Sequence, residues 1–319
     1  MKLSGVFSYC TRAMKSLKQS ETAVTIKAPW GNLAALTWGD PSRPPVLLCP
    51  GRLQPCTVFK PLIFMLPDSF FYVALDLPGN GLSDPLPPGV RYTVMDMVPS
   101  ILTVVDHYNW DNFAYIGHSL GAAVGKFFNI AYPERISKMV ELDPVPAYFT
   151  SGVTTIADWY HTYYGNYYKE DNYRKHNSGP ETAPKYTLEK VKELMQSAQR
   201  LTDEAVEYQL ERSLAPAGDG LYRLTYDQRV KLVTLLPFPS DYLKQIYTTP
   251  KTPTLAIIAL DVLNSGTYRD VPFLTDEKAW PNGNFKFKIV PGVHDVHIND
   301  PGCMAADIAA FLTGSVAKL

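Results

Sequence analysis

The chain has 319 residues, of which 46% are hydrophobic and 19% charged, a balance typical of a folded protein with a sizeable buried core. Its 30 Lys and Arg residues are balanced by 31 Asp and Glu residues. The resulting net charge of −1 provides no basic surface for a nucleic acid or an anionic membrane. No apolar run reaches the roughly 18 residues that a membrane-spanning helix needs, so we expect no membrane span.

The cysteine pattern indicates a reducing, intracellular environment. The four cysteines, Cys10, Cys49, Cys56 and Cys303, lack C-x-x-C spacing and the density of a disulfide scaffold. The sequence contains no Asn-x-Ser/Thr glycosylation site. It also contains no His/Cys cluster and no phosphate-binding loop, so we predict neither a metal ion nor another cofactor.

The predicted elements begin after an N-terminal extension at residues 1–20, whose basic residues suit either a surface helix or a mitochondrial presequence. Apolar runs at 23–28 and 32–38 flank Pro29-Trp30-Gly31 and predict a β-hairpin. Six further runs of strand length follow, at 45–49, 70–75, 113–116, 136–142, 254–260 and 285–290. Because these runs are almost continuously apolar and alternate with helix-like segments, they are typical of buried parallel strands.

We therefore predict an α/β fold with a mostly parallel eight-stranded sheet and helices on both faces. Residues 21–144 and 251–314 form its core. The intervening residues 145–250 are too many for one crossover helix, and we interpret them as a helical lid. Two lid helices are expected, one after Thr187 and one after the N-cap Thr202.

The first part of the lid is rich in tyrosine. Two interpretations are open for this cluster: packing between lid and core, or the wall of an apolar pocket for an acyl or ring substrate. The pocket interpretation concerns Tyr163, Tyr164, Tyr167 and Tyr168.

The strongest motif is Gly117-His118-Ser119-Leu120-Gly121, which lies between a predicted strand and a predicted helix. A serine in this context projects its hydroxyl from a sharp turn, and the two glycines let strand and helix cross closely. The arrangement predicts a nucleophilic Ser119.

A serine hydroxyl needs a base, and the chain has six histidines. His107, His161 and His176 lie in a helix or in the lid, and His118 is part of the motif itself. Of the two that follow the last strand, His294 comes directly after Pro291-Gly292-Val293 and is the predicted base, whereas His297 is interpreted as a packed or solvent-facing neighbour.

The substrate oxyanion requires two backbone N–H donors. We expect one from Leu120, which follows the nucleophile, and one from Arg52 in the loop after the third strand. The Arg52 side chain is a second candidate feature, either as solvated surface or as a clamp for a carboxylate or phosphate.

Together with the turn Asp76-Leu77-Pro78-Gly79-Asn80-Gly81-Leu82-Ser83, these features resemble the α/β-hydrolase superfamily. More narrowly, residues 28–31, 142–144, 227–229 and 290–297 resemble the serine hydrolase-like (kraken-type) family, over about residues 22–315. The resemblance implies a hydrolase of peroxisomal or vesicular placement. One departure from the family pattern is Pro50-Gly51, where the family commonly has His-Gly. The resemblance implies that this histidine braces the oxyanion loop, and Pro50 leaves the loop without it.

Two residues compete for the acid that orients His294. Asp261 follows the seventh strand, the commonest position, although its spacing is shifted by one residue. Asp143 ends the sixth strand and belongs to the family resemblance.

The leading functional prediction is hydrolysis of an ester or thioester, with a small-molecule acyl substrate. A lyase or carbon–carbon hydrolase with the same triad, and a binding protein that has lost activity, are the alternatives. The chain ends in Ala317-Lys318-Leu319, close to the Ser-Lys-Leu signal read by peroxisomal import receptors, so we expect a peroxisomal protein with cytoplasm as the alternative. We expect the last helix to end near Leu312, leaving residues 315–319 as an accessible tail.

Overall fold

A computed structural model describes residues 17–144, 148–150 and 154–314. The main sheet has eight strands: β1 (Thr22–Ala28), β2 (Gly31–Trp38), β3 (Pro45–Cys49), β4 (Phe71–Leu75), β5 (Phe113–His118), β6 (Ile136–Leu142), β7 (Thr254–Ala259) and β8 (Phe285–Val290). Their order is β1-β2-β4-β3-β5-β6-β7-β8, and only β2 runs antiparallel to its neighbours. The predicted mostly parallel eight-stranded sheet is therefore confirmed.

The described helices of the α type are α1 (Lys60–Ile63), α2 (Val94–Tyr108), α3 (Leu120–Ala131), α4 (Ile156–Tyr160), α5 (Glu170–Asn177), α6 (Leu188–Gln199), α7 (Asp203–Leu210), α8 (Ser240–Thr248), α9 (Leu260–Asn264), α10 (Val296–Asn299) and α11 (Gly302–Thr313). They cover both faces of the sheet. Leu47 of β3 contributes to the apolar core on one face, while Val46 and Leu48 contribute to the core on the other. This double coverage explains why the central strands are continuously apolar in sequence.

The segment between β6 and β7 contains α4 to α8, as expected for a lid with helices. Thr187 and Thr202 cap α6 and α7, because their hydroxyls accept the N–H groups of Lys190 and Ala205, each at 3.2 Å. The cap at Thr202 is the one that the sequence predicts. The segment also contains short strands that the sequence did not indicate. They pair as two small sheets, Tyr148–Thr150 with Leu236–Phe238 and Leu214–Pro216 with Tyr222–Leu224.

Buried charges join this segment to the turn after β4. Asp76 is fully buried, and one of its carboxylate oxygens accepts the Arg212 guanidinium at 2.9 Å. Arg229, also buried, donates to the carbonyl oxygens of Leu86, Pro87 and Val90. The segment between β6 and β7 is therefore attached to the rest of the fold through charge-assisted hydrogen bonds, which are stronger than neutral ones.

Among the described residues, no helix combines the length and apolarity needed to cross a bilayer. The helix α11 ends at Thr313, and Gly314 adopts the left-handed conformation with φ of 74°, as predicted for its C-terminal cap. The terminal residues Ala317, Lys318 and Leu319, and all but the last four residues of the N-terminal extension, lie outside the described residues.

Candidate active site

Ser119 occupies a sharp turn between β5 and α3. Its backbone has φ of 50° and ψ of −115°, a conformation that side chains rarely adopt. The turn is possible because Gly121 packs directly on the strand β3: a Cβ at Gly121 would lie 2.1 Å from the carbonyl oxygen of Cys49. The Ser119 hydroxyl makes no capping bond to α3, so it is available to other groups.

A cleft of about 540 Å³ contains Ser119. Its wall includes residues from the loop after β3, the Ser119 turn, the end of α6, the segment after β7 and the loop after β8. The lining residues used below are Gly51, Arg52, Gln54, His118, Ser119, Arg200, Asp261, His294 and Asp295. Both the predicted nucleophile and the predicted base therefore lie in one cleft.

His294 is held by Asp143 rather than by Asp261. The Nδ1 atom of His294 lies 2.5 Å from Oδ2 of Asp143. The other oxygen of Asp143 accepts the Ala259 N–H at 3.1 Å and the Tyr268 hydroxyl at 2.7 Å. Asp143 is only 1% exposed, so these donors replace the water that its charge would otherwise need. With Nδ1 used in this way, Nε2 is the nitrogen of His294 left to exchange a proton in the cleft.

The environment of His294 favours its protonated form. Burial by itself lowers the pKa of His294, but the hydrogen bond and negative charge of Asp143 outweigh it, with a further contribution from Asp295. The pKa of His294 therefore lies above its ordinary value. A raised pKa makes the neutral imidazole a stronger base.

Asp261, the other candidate acid, is the first acidic residue of α9 and lies on the cleft rim. Its carboxylate forms a 2.8 Å ion pair with Arg200, and both side chains are largely exposed. Asp261 follows β7, as expected. It is the second residue of α9, and its carboxylate accepts a hydrogen bond from Arg200. Of the two candidates, only Asp143 is hydrogen-bonded to His294 among the described contacts.

The two predicted oxyanion donors lie on neighbouring elements. Leu120 is the first residue of α3, where a backbone N–H has no intrahelical acceptor and the helix dipole is positive. Arg52 follows Gly51 in the loop after β3, and β3 pairs with β5 as far as Cys49 and Gly117. The loop that carries Arg52 is thus adjacent to the Ser119 turn.

A buried polar network lies behind this loop and was not anticipated. The side-chain oxygen of Gln54 accepts the Gly51 N–H at 3.1 Å and lies 2.9 Å from Nδ1 of His118. Its amide nitrogen donates to Oδ1 of Asp295 at 2.6 Å. Nε2 of His118 lies 3.1 Å from the carbonyl oxygen of His294. Gln54 was part of the predicted loop, but nothing in its sequence context indicated these partners.

His297 does not occupy the base position. It is fully buried between Phe59 and His118, with ring centroids 5.5 Å and 4.0 Å away, and burial lowers its pKa to about 3. Its packed role agrees with the sequence interpretation. Donor atoms of His118, Asp295 and His297 lie within 4.8 Å of one another, as metal ligands could. The contacts of His118 and Asp295 to Gln54 favour a hydrogen-bonded network at this position over a metal site.

The four tyrosines expected at the substrate pocket are not among the residues lining the Ser119 cleft. The rings of Tyr164 and Tyr167 instead enclose the Arg91 guanidinium, at 4.3 Å and 4.4 Å. Tyr167 also contacts Tyr168, which is largely exposed. Tyr163 lies beside Trp159, with ring centroids 6.2 Å apart. These contacts correspond to the packing interpretation, because a cation held between two aromatic faces stabilises the attachment of lid to core.

The chain is similar in sequence and in structure to known proteins. Residues 44–301 match the family described as alpha/beta hydrolase fold. The chain is 30% identical to Serine hydrolase-like protein 2 of Homo sapiens over 301 residues, covering 90% of this chain and 92% of the human protein. It is 29% identical to Serine hydrolase-like protein of Danio rerio, covering 93% of this chain and 90% of that protein. A crystal structure of a hypothetical protein from Pseudomonas aeruginosa has a TM-score of 0.77 and 25% identity, covering 93% of this chain and 99% of that one. The chain belongs to the α/β-hydrolase fold family and, within it, to the serine hydrolase-like proteins.

Proposed function

We propose that the protein hydrolyses an ester or thioester through a covalent acyl-enzyme, with Ser119 as nucleophile, His294 as general base and acid, and Asp143 as the residue that orients the imidazole. The observation that carries this proposal is the 2.5 Å contact between His294 and Asp143 in the cleft that also contains the Ser119 turn. Family membership supports a hydrolytic role.

In the first half-reaction, the Ser119 hydroxyl oxygen attacks the acyl carbonyl carbon and its proton passes to Nε2 of His294. The N–H groups of Leu120 and Arg52 stabilise the negative oxygen of the tetrahedral intermediate. The bond to the leaving group then breaks, and His294 returns the proton to the departing alcohol or thiol. Water repeats the sequence on the acyl-enzyme and releases the carboxylic acid and free Ser119.

A positively charged side chain in the cleft favours an acyl group that carries a negative charge. Arg52 donates to the Lys231 carbonyl oxygen at 2.6 Å, which holds its side chain toward the lid. Within the described residues Arg52 forms no ion pair, and the remaining segments contain no Asp or Glu. Arg200 differs, because Asp261 neutralises it. An unpaired guanidinium beside the oxyanion loop favours substrates that carry a carboxylate or phosphate.

The first prediction concerns the nucleophile. Ser119→Ala should abolish labelling by a fluorophosphonate and lower the hydrolysis of short 4-nitrophenyl esters by several orders of magnitude, because the acyl-enzyme cannot form. Ser265→Ala is the matched control, since Ser265 is an exposed serine of the same cleft. Normal labelling of the Ser119→Ala variant would contradict the proposal.

The second prediction separates the two aspartates. Asp143→Asn should reduce kcat by about 10⁴ through loss of imidazole orientation, whereas Asp261→Asn should change it by about twofold or less, as for a surface residue.

The base must be neutral to act, so activity should rise with pH through the raised pKa of His294. Removing the Asp143 charge lowers that pKa, and the acidic limb of kcat/KM should move to lower pH. Equal effects in the two variants would exclude this assignment.

The third prediction tests the acyl group. A mono-4-nitrophenyl succinate should be hydrolysed with a higher kcat/KM than 4-nitrophenyl butyrate, which has a similar chain and no charge. Arg52→Gln should reduce kcat/KM for the charged ester by about 10-fold to 100-fold, the value of one hydrogen bond to a charged group, and leave the neutral ester nearly unchanged. Arg200→Gln serves as the control. Equal losses of kcat/KM on both esters would show that Arg52 does not bind the negative charge of the substrate.

The fourth prediction concerns the location in the cell, which we propose to be the peroxisome. Its support is the terminal tripeptide Ala317-Lys318-Leu319, which follows the last described helix by a few residues. With a fluorescent tag on the N-terminus, the protein should colocalise with a peroxisomal marker, and deletion of Leu319 should make the fluorescence diffuse. Diffuse fluorescence of the intact chain, or no change after the deletion, would exclude this placement.

A further inference from the structure

Gln54 lies where three parts of the active site meet, and it is only 2% exposed. Its side chain contacts Gly51 in the oxyanion loop, His118 beside the nucleophile, and Asp295 beside the base. A single amide therefore touches the chain next to the oxyanion donor, next to Ser119 and next to His294.

The backbone around Gly51 is fixed on both sides by Gln54. The Gly51 N–H donates to the Gln54 side-chain oxygen, and the Gly51 carbonyl accepts the Gln54 backbone N–H at 3.3 Å. The Gly51 carbonyl belongs to the same peptide group as the Arg52 N–H. Because the two bonds of a trans peptide point in opposite directions, holding this carbonyl sets the direction of the Arg52 N–H.

Steric contact also restricts the position of the Gly51 backbone relative to the Gln54 side chain. A Cβ placed on Gly51 would lie 2.7 Å from the Gln54 side-chain oxygen and 2.8 Å from Nδ1 of His118. The backbone of the oxyanion loop thus packs on the Gln54 amide without space between them. Only glycine fits at this position while the amide is present.

The amide orientation is determined by its partners. The Gly51 N–H requires an acceptor, and the buried carboxylate of Asp295 requires a donor, so oxygen and nitrogen of Gln54 have one arrangement that satisfies both. Pro50 has no N–H and no polar side-chain atom, and it cannot supply such bonds.

We propose that Gln54 is the positioning residue of the oxyanion hole. Its side-chain oxygen acts by holding the Gly51 N–H, next to Arg52 in the chain. The backbone bond from the Gln54 N–H to the Gly51 carbonyl holds the other side of Gly51 and does not need the side chain. This inference rests on the proposed hydrolytic function of Ser119.

The test is Gln54→Met in the full-length protein, because methionine has a similar volume and offers no strong hydrogen bond. Oxyanion contacts are made in the transition state, so kcat should fall about 10-fold to 100-fold, less than the loss of a whole donor, while KM changes little. The rate of fluorophosphonate labelling and the affinity for an alkyl boronic acid should fall in parallel with kcat, since both place an oxygen in the oxyanion hole.

Gln209→Met is the matched control, because Gln209 is a buried glutamine of the lid helix α7 and is not among the residues lining the cleft. It should leave kcat and boronic acid affinity unchanged. Gln54→Glu keeps an acceptor for the Gly51 N–H and should retain more activity than Gln54→Met at acidic pH, where a proton can lie between its carboxyl group and Asp295. This second variant also provides the test if Gln54→Met does not fold.

The outcomes separate the two proposals. Absence of fluorophosphonate labelling in the wild-type protein would overturn the proposed function and this inference with it. Normal labelling of the wild type, with unchanged kcat and boronic acid affinity in folded Gln54→Met, would overturn the role of Gln54 alone. A Gln209→Met variant that loses activity to the same extent would also overturn it, because the effect would then reflect stability.

Discussion

The close packing of the Ser119 turn on strand β3 is the constraint on which the rest of the site depends. Gly121 leaves no room for a side chain against the Cys49 carbonyl oxygen, so α3 starts directly beside the loop that follows β3. This contact places the N-terminus of α3 and the Arg52 backbone at the same edge of the sheet. It also holds Ser119 in a conformation that an isolated peptide would rarely adopt. Strain at the nucleophile is thus balanced by packing between the two strands that support it.

Buried polar groups then determine the chemistry of this edge. The Asp143 carboxylate is satisfied by His294, Tyr268 and a backbone N–H, which offsets the cost of burying it. A second carboxylate, Asp295, lies beside the same histidine and is joined to Gln54. Burial raises the pKa of Asp295, while His294 and Gln54 lower it. The two acids therefore differ in their surroundings, and among the described contacts only Asp143 is hydrogen-bonded to the His294 imidazole.

The aromatic residues of the segment between β6 and β7 make packing contacts, one of the two roles that the sequence left open. Its tyrosines contact one another and Arg91, and its buried arginines bind the turn and the loop that follow β4. The part of the lid that lines the cleft is the end of α6, where Ala198, Gln199 and Arg200 face the Ser119 side. This part of the wall contributes the Gln199 amide and the Arg200 guanidinium to the cleft.

The amino-acid sequence by itself determined the fold class, most strand boundaries, the cap at Thr202 and the candidate residues Ser119 and His294, because these depend on local periodicity, turn chemistry and chain order. It could not choose between Asp143 and Asp261, since both end or follow a strand at the same sheet edge and differ only in where the next segment directs the carboxylate. Tyr268 and Gln54 carried no motif, as their roles come from partners that are distant in the chain. The tyrosine cluster had two interpretations for the same reason: composition records how many aromatic rings exist, whereas the tertiary structure decides which surface they face.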